Sequence, residues 1–259
     1  MKKEEIKIKE PKHLKIMAEG GKKLAEVKNK LSLKIDKGVS AGDIEKEAEK
    51  LIKKSGGKAS FKKVPGYSWA TCVNVNAGVV HGVPHKSVVF QKGDVVSVDV
   101  GLLFKGFHTD TSFTVGVKPD SEIEKFLETG KEVLDEAIKK AQKGNRVFDV
   151  SKTIQDSVES AGYSVIRSLV GHGIGESLHE SPQIPCFVSG KRNESPVIPE
   201  GAVLAIEVMY TRGKSGVMLA GDGWTIETQD GKIAGLFEET VAVTDKGPKI
   251  LTSLQNELI

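Results

Sequence analysis

Gly93-Asp-Val-Val-Ser-Val-Asp99-Val100 and Gly201-Ala-Val-Leu-Ala-Ile-Glu207-Val208 are the two stretches on which the fold turns. Each opens on glycine, runs through β-branched and aliphatic residues, and carries one acid at the same place, 108 positions apart. A carboxylate inside an apolar strand is costly unless it is paired, hydrogen-bonded or metal-bound. One such acid would read most simply as facing solvent, because strand neighbours point to opposite faces. Two at matched places point to a shared buried site.

The match extends outward in both directions. Upstream, Gly38, Asp43, Ile44, Ala48, Ile52 and Gly56 recur as Gly144, Asp149, Val150, Ile154, Val158 and Gly162. Downstream, Asp110 lies five residues before Val115, and Glu238 lies five before Val243. Three matches in one order describe two α/β halves, roughly residues 12–120 and 121–250, related by an approximate two-fold within a single domain spanning 1–259. The repeat then sets acid against acid, Asp99 with Glu207 and Asp110 with Glu238.

Local patterns fill in the elements. Leu14, Met17, Leu24, Val27 and Leu31 fall at helical spacing and predict a helix over 12–31. A second helix runs over 41–55, with Ser40 or Asp43 as its N-cap and Gly56-Gly57 as its stop. Further helices are expected over 121–142 and 147–161. Strands are expected over 71–76, 94–100, 202–210, 224–228 and 237–243. Helices alternating with antiparallel-looking strands predict an α+β fold rather than a doubly wound sheet.

Composition excludes several classes. The 259 residues are 38% hydrophobic and 28% charged, with 28 Gly and 9 Pro, which rules out collagen-like, disordered and membrane-spanning chains. The opening Met-Lys-Lys-Glu-Glu-Ile-Lys has no apolar core and does not read as a signal peptide. Cys72 and Cys186 are the only cysteines, which fits two free thiols in a reducing compartment, the cytoplasm, and cannot build a zinc finger. Chemistry must come from the 35 acids and six histidines. Residues 1–63 carry 19 Lys against 10 acids, a net of +9 in a chain whose total is +3. That would suit an RNA- or phosphate-facing surface. Acids mixed among the lysines, without interleaved aromatics, favour the plainer reading of solvated helix faces.

If the half-sheets meet, Asp99, Asp110, Glu207 and Glu238 converge on one point. Four carboxylates cannot all ionise there without cations, and two divalent ions balance them. Carboxylates with an imidazole suit Mn, Fe, Co or Zn. His172 in Gly171-His-Gly-Ile-Gly175 and His81 in Val80-His-Gly-Val-Pro84 have glycine neighbours, which let backbone approach a site closely. His179 is ambiguous on local sequence, and His13, His85 and His108 read as surface or structural residues.

The segments VNVNAGVVHGVP, GDVVSVDVG, GFHTDTS, GHGIGESLHESPQIP, LAIEVM, DGWTIETQDG and FEETVAVTDKGP together resemble the type I methionine aminopeptidases, in family order and over nearly the whole chain. The resemblance implies the pita-bread fold: two pseudo-two-fold-related α/β halves around a central antiparallel sheet. It implies a dinuclear site held by Asp99, Asp110, His172, Glu207 and Glu238, with Asp110 and Glu238 bridging two divalent ions. His81 and His179 become catalytic, substrate-contacting histidines that bind no metal, and Glu207 doubles as a proton shuttle. Tyr67, Cys72, Met209 and Trp224 match the methionine pocket, although each also suits ordinary core packing. The implied activity is removal of initiator methionine from nascent polypeptides with a small second residue, by a monomer whose basic N-terminal region could touch the ribosome.

Four positions depart from the family pattern: Val208 for proline, Glu239 for histidine, Leu236 for glutamine and Leu178 for an aromatic residue. Glu238 is read as the ligand by register, between Phe237 and Thr240, with Glu239 on the opposite face. Only 28 residues separate His179 from Glu207, too few for the inserted subdomain of type II enzymes. Two other readings remain. One is an X-Pro aminopeptidase of the same fold, which usually carries an added N-terminal domain. The other is a non-catalytic relative that binds RNA or protein, against which the intact ligand set argues.

Overall fold

A computed structural model describes residues 5–255 of the chain. Met1–Glu4, the start of the stretch read as lacking a signal peptide and of the basic segment, lie outside the described residues. Four long helices form: α1 (Pro11–Ser32), α2 (Ala41–Ser55), α3 (Ser121–Lys140) and α4 (Val147–Ser160). The strands are β1 (Lys58–Ala59), β2 (Thr71–Val75), β3 (Gly78–Val80), β4 (Val95–Phe104), β5 (Phe107–Gly116), β6 (Ser164–Val165), β7 (Val170–Gly173), β8 (Glu180–Pro185), β9 (Val203–Thr211), β10 (Val217–Leu219), β11 (Ile226–Thr228), β12 (Ala234–Thr244) and β13 (Gly247–Ile250). Among the described residues, no helix is long and apolar enough to cross a membrane.

The helix ends follow from side-chain chemistry. The Ser40 hydroxyl accepts the Asp43 N–H at 3.1 Å, and the Asp43 carboxylate accepts the Ser40 N–H at 3.1 Å, so both expected caps take part in one reciprocal box. Gly56 closes the helix at φ 81°, a left-handed conformation that costs glycine nothing. Ser40→Ala is expected to lower stability by about 1 kcal/mol, read as the shift in a urea denaturation midpoint at constant slope. An unchanged midpoint would mean that packing alone fixes this helix start.

The main sheet runs β1-β4-β5-β12-β9-β7-β8, with β2 also on β4, β6 on β9 and β13 on β12, and its paired strands are antiparallel. A smaller sheet has the order β10-β11-β3. Helices cover one face of the main sheet in two clusters. Leu24, Leu31, Ile44 and Ile52 pack with Val96, Val98, Val100 and Leu102. Phe126, Leu134, Val150 and Ile154 pack with Leu204, Ile206, Val208 and Tyr210. The two clusters are the same construction made twice, and alternation along β4 and β9 turns Asp99 and Glu207 to the other face.

The two-fold is visible in individual hydrogen bonds. Gly38 N–H donates to Phe90 O and Gly144 N–H to Ile198 O, each at 2.9 Å. Gly93 N–H donates to Val117 O and Gly201 N–H to Val243 O, each at 2.8 Å. The axis passes between β5 and β12, where Ser112 pairs with Glu238.

The register corrects one expectation. Asp99 lies opposite Ser112 on β5, and Glu207 lies opposite Glu238 on β12. The mate of Glu238 is therefore Ser112, not Asp110, whose own mate is Leu236. The sequence match was two positions off because strand ends lack a strong pattern. A shift of two keeps a side chain on the same face, so Asp110 still faces the site. The strands β5, β7 and β8 were not foreseen, because their polar residues, glycines and prolines hide the strand pattern.

Candidate active site

Asp99 comes from β4, Asp110 from β5, His172 from β7, Glu207 from β9 and Glu238 from β12, so both halves supply side chains to one point. They form the floor of a cavity of about 160 Å³. His81 and His179 reach the same cavity, as do Tyr67, Cys72 and Trp224, and Phe61, Val64, Val80 and Leu178 complete its walls. Asp110 and Glu238 are only 3% and 2% exposed. One ligand atom each from Asp110, His172 and Glu238 lies within 4.8 Å of the others. His172 Nε2 is 3.6 Å from a Glu207 carboxylate oxygen, which ties the fourth acid to this group.

The histidine is oriented from behind. Its Nδ1 stands 2.9 Å from Gly173 O, which as an acceptor assigns the proton to Nδ1 and leaves the Nε2 lone pair facing the acids. Burial pushes the imidazole pKa down to about 4, with His179 nearby adding to the effect, so the ring is neutral at physiological pH. The His179 ring stands edge-on to it at 4.5 Å between centroids. Burial also lowers the pKa values of His81 and His179.

The acids shift the other way. Burial raises Asp99 to about 7. It also raises Asp110 well above the ordinary carboxylate range, reinforced by Asp99 and Glu207. Glu207 rises through burial and then Asp99, and Glu238 through burial and then Asp110, Glu207 and Asp99. Asp99 Oδ1 and Glu238 Oε1 are buried without a hydrogen-bond partner among the described residues. Clustered carboxylates with unpartnered oxygens, beside an imidazole whose lone pair faces them, fit a first-row divalent cation.

The sequence matches the model of metallopeptidase family M24 over residues 15–245. The chain belongs to metallopeptidase family M24. Within this family it is 40% identical over 251 residues to the methionine aminopeptidase of Clostridium perfringens, covering 96% of this chain and 100% of that one. The crystal structure of methionine aminopeptidase from Thermotoga maritima superposes with a TM-score of 0.93 at 41% identity, covering 96% of this chain and 100% of that chain. An X-Pro aminopeptidase from Thermotoga maritima, 20% identical with a TM-score of 0.75, shares the fold alone, and this chain spans 62% of it. The pita-bread architecture and the use of a divalent metal are those of an M24 hydrolase.

One expected pocket residue is not on the cavity wall. Met209 is fully buried, pairs with Leu236, and belongs to the core beneath the second half. Its carbonyl accepts the Ile166 N–H at 2.9 Å, and both residues belong to the same buried cluster. Four wall residues were missed by sequence reasoning: Phe61, Val64 and, as walls, Val80 and Leu178. An apolar pair flanking two lysines at 61–64 was the only signal for the first two. Glu239 turns away from the acids: it pairs with Lys28 of α1 and accepts from the Thr111 hydroxyl at 3.0 Å.

The register also shows a repeat that the sequence carried unread. Asn74 lies opposite Ser97 on β4, and His172 lies opposite Ala205 on β9. Because β4 and β9 are mates, Asn74 is the counterpart of His172. Seven residues on in each half stand His81 and His179, and three further on stand Pro84 and Pro182. The two rim histidines are thus themselves two-fold mates. His81 has a left-handed backbone at φ 58°. Its successor Gly82 is held by Asn74 Oδ1, which accepts the Gly82 N–H at 2.9 Å, and by the Val73 N–H, which donates to Gly82 O at 2.8 Å. A side chain at Gly82 would place Cβ 2.2 Å from Val73 O, so only glycine fits this turn.

Proposed function

We infer that this chain is a metal-dependent aminopeptidase that removes the N-terminal methionine from nascent proteins with a small second residue. The observation that carries the reading is the acid and imidazole cluster at the floor of a small, apolar-walled cavity with His81 and His179 at its edge. A cavity of about 160 Å³ with these walls has room for one side chain and a free amine, which suits an exopeptidase. The near-complete mutual coverage with methionine aminopeptidases supports the same conclusion.

Asp99, Asp110, His172, Glu207 and Glu238 would hold two divalent ions, of Mn, Fe, Co or Zn, whose charge balances the four carboxylates. Bound there, they supply an acidified water and polarise the scissile carbonyl. Glu207 would take a proton from the attacking water and return it to the leaving amine, as a carboxylate at the cavity floor can. His81 and His179, neutral because burial lowers their pKa values, present N–H donors to the scissile amide and the developing oxyanion. Tyr67 donates to Thr71 O at 2.9 Å and packs edge-on against Trp224, with centroids 5.1 Å apart. With Cys72, these rings form a wall for an unbranched thioether side chain.

Since each half contributes ligands, the chain is proposed to work as one catalytic domain with halves of roughly 12–120 and 121–250. A monomer acting in the cytoplasm, with the basic N-terminal segment facing the ribosome, completes the proposal. The test is incubation of metal-loaded protein with Met-Gly-, Met-Leu- and Ala-Pro-initiated peptides. Methionine release from the first alone is the expected result. Cleavage of Ala-Pro would assign the X-Pro specificity instead, and no release with Mn, Co or Fe would overturn the enzymatic reading.

A further inference from the structure

His81 and His179 are two-fold mates, yet the two turns that present them are built differently. On the first half the buried Asn74 side chain holds the turn through Gly82 N–H. The mate of Asn74 is His172, whose Nδ1 already bonds Gly173 O and whose Nε2 faces the acids. His172 cannot do for His179 what Asn74 does for His81. Beyond the backbone pairing of Glu180 with Gly173, a side-chain tie to the second turn has to come from another segment.

The segment that fills this place is the extended stretch before α1. Lys9 Nζ reaches Glu180, the residue after His179, at 2.7 Å. The pair is enclosed, with side chains 6% and 1% exposed. The Lys9 backbone N–H is fixed in turn on Gly201 O at 2.8 Å, at the entry to β9. The second Glu180 oxygen accepts the Ser177 N–H at 3.1 Å, closing the loop of residues 177–180 that carries Leu178 and His179 to the cavity. Lys7 adds a weaker contact to Glu180 at 3.5 Å.

Gly175, the last glycine of the Gly171–Gly175 motif, belongs to the same device. A Cβ there would lie 2.4 Å from Lys9 Cε and 3.0 Å from a Glu180 oxygen. The motif leaves its final side chain out so that the lysine can pass.

We propose that Lys9 is a positioning residue for the peptidase reaction: through its enclosed ion pair with Glu180 it fixes the turn that aims His179 at the substrate. The N-terminal stretch is then part of the active-site scaffold, doing from outside the sheet what Asn74 does from within it. The proposal rests on the catalytic role given to His179 above.

The experiment compares wild type, Lys9→Met and Lys9→Met/Glu180→Gln, loaded with Mn. Methionine release from a Met-Gly peptide gives kcat and KM, and NMR of the metal-free proteins gives the His179 ring resonances. Removing the lysine alone strands a buried carboxylate, which must then seek water or a proton and drag the loop with it. Lys9→Met is expected to lose about 100-fold in kcat, the scale of a displacement near 1 Å, with KM within about twofold. Its His179 resonances should shift while those of His85, outside the loop, stay in place. The double variant, which keeps shape and removes both charges, is expected to recover kcat to within about fivefold and to restore the resonances.

A single variant with wild-type kcat and unmoved His179 signals would overturn the proposal. So would a double variant that folds but stays as impaired as the single one. If Lys9→Met does not fold, the double variant decides alone: near-wild-type kcat and His179 signals support an ion pair needed only for charge balance, and lost kcat with displaced signals counts against it. Absence of methionine release by wild type would refute the functional reading, while the NMR comparison would still report on the loop.

Discussion

Glu207→Gln is expected to lower methionine release by roughly a thousandfold while leaving the fold intact. The amide keeps the shape of the side chain and one oxygen, so packing in β9 against β12 is undisturbed. It removes the negative charge that a cation needs and the basic site that a proton transfer needs. Both losses fall on the transition state, so kcat carries most of the effect. In the metal-free protein the same change removes an acid that raises the pKa values of Asp110 and Glu238, so stability should hold or rise. Turnover within tenfold of wild type, at equal metal occupancy, would refute the role given to Glu207. A variant that unfolds would instead mark it as structural, which circular dichroism distinguishes.

The sequence exposed what depends on pattern and concealed what depends on geometry. Asp99 and Glu207 were legible because each interrupts an apolar run, and a buried charge in a strand demands a reason. The helices α2 and α4 were legible because a cap, a 3.6-residue stripe and a glycine stop recur in order. The register of β5 against β12 was not, since a slip of two leaves every side chain on its face and no local signal opposes it. The acids could thus be named correctly while one was paired with the wrong mate.

Met209 shows the opposite case. Alternation from Glu207 puts it on the site face, but it is packed into a buried cluster with Ile166 and Leu236, and no residue near 209 records that packing. Lys9 escaped notice for a related reason. In a segment rich in lysine, nothing local separates the one that is enclosed against Glu180 from those in solvent. The repeat of Asn74 and His81 as His172 and His179 was present in the letters, but an asparagine standing for a histidine hides the match until strand pairing makes it.

Removing the metal is expected to abolish methionine release and to make stability fall with pH in a window where most proteins are indifferent to it. The acids carry folded pKa values raised above those of the unfolded chain, Asp99 to about 7 and Asp110, Glu207 and Glu238 well above the ordinary carboxylate range. A raised pKa gives stability that is complete below the unfolded value, near pH 4, and is lost as pH climbs through the folded value. The histidines act with opposite sign. His172 at about 4, with His81, His108 and His179 also lowered, contributes stability that is lost only as pH falls below their unfolded value of about 6.5. Above about pH 7 these imidazoles are neutral in both states, and the raised carboxyls set the slope. Each acid still protonated in the fold then subtracts about 1.4 kcal/mol per pH unit. Cations replace those protons and cancel the dependence, adding about 2.7 kcal/mol at a hundredfold excess over Kd. The chelated protein should therefore show a melting midpoint that drops from pH 7 to 8.5, with metal raising it by roughly 5–10 °C at the lower pH and by more at the higher. Calorimetry at the two pH values, with and without Mn, reads both effects. A chelated midpoint that stays level or rises across this window would mean that the carboxylates are not the buried, mutually repelling cluster that the fold assembles.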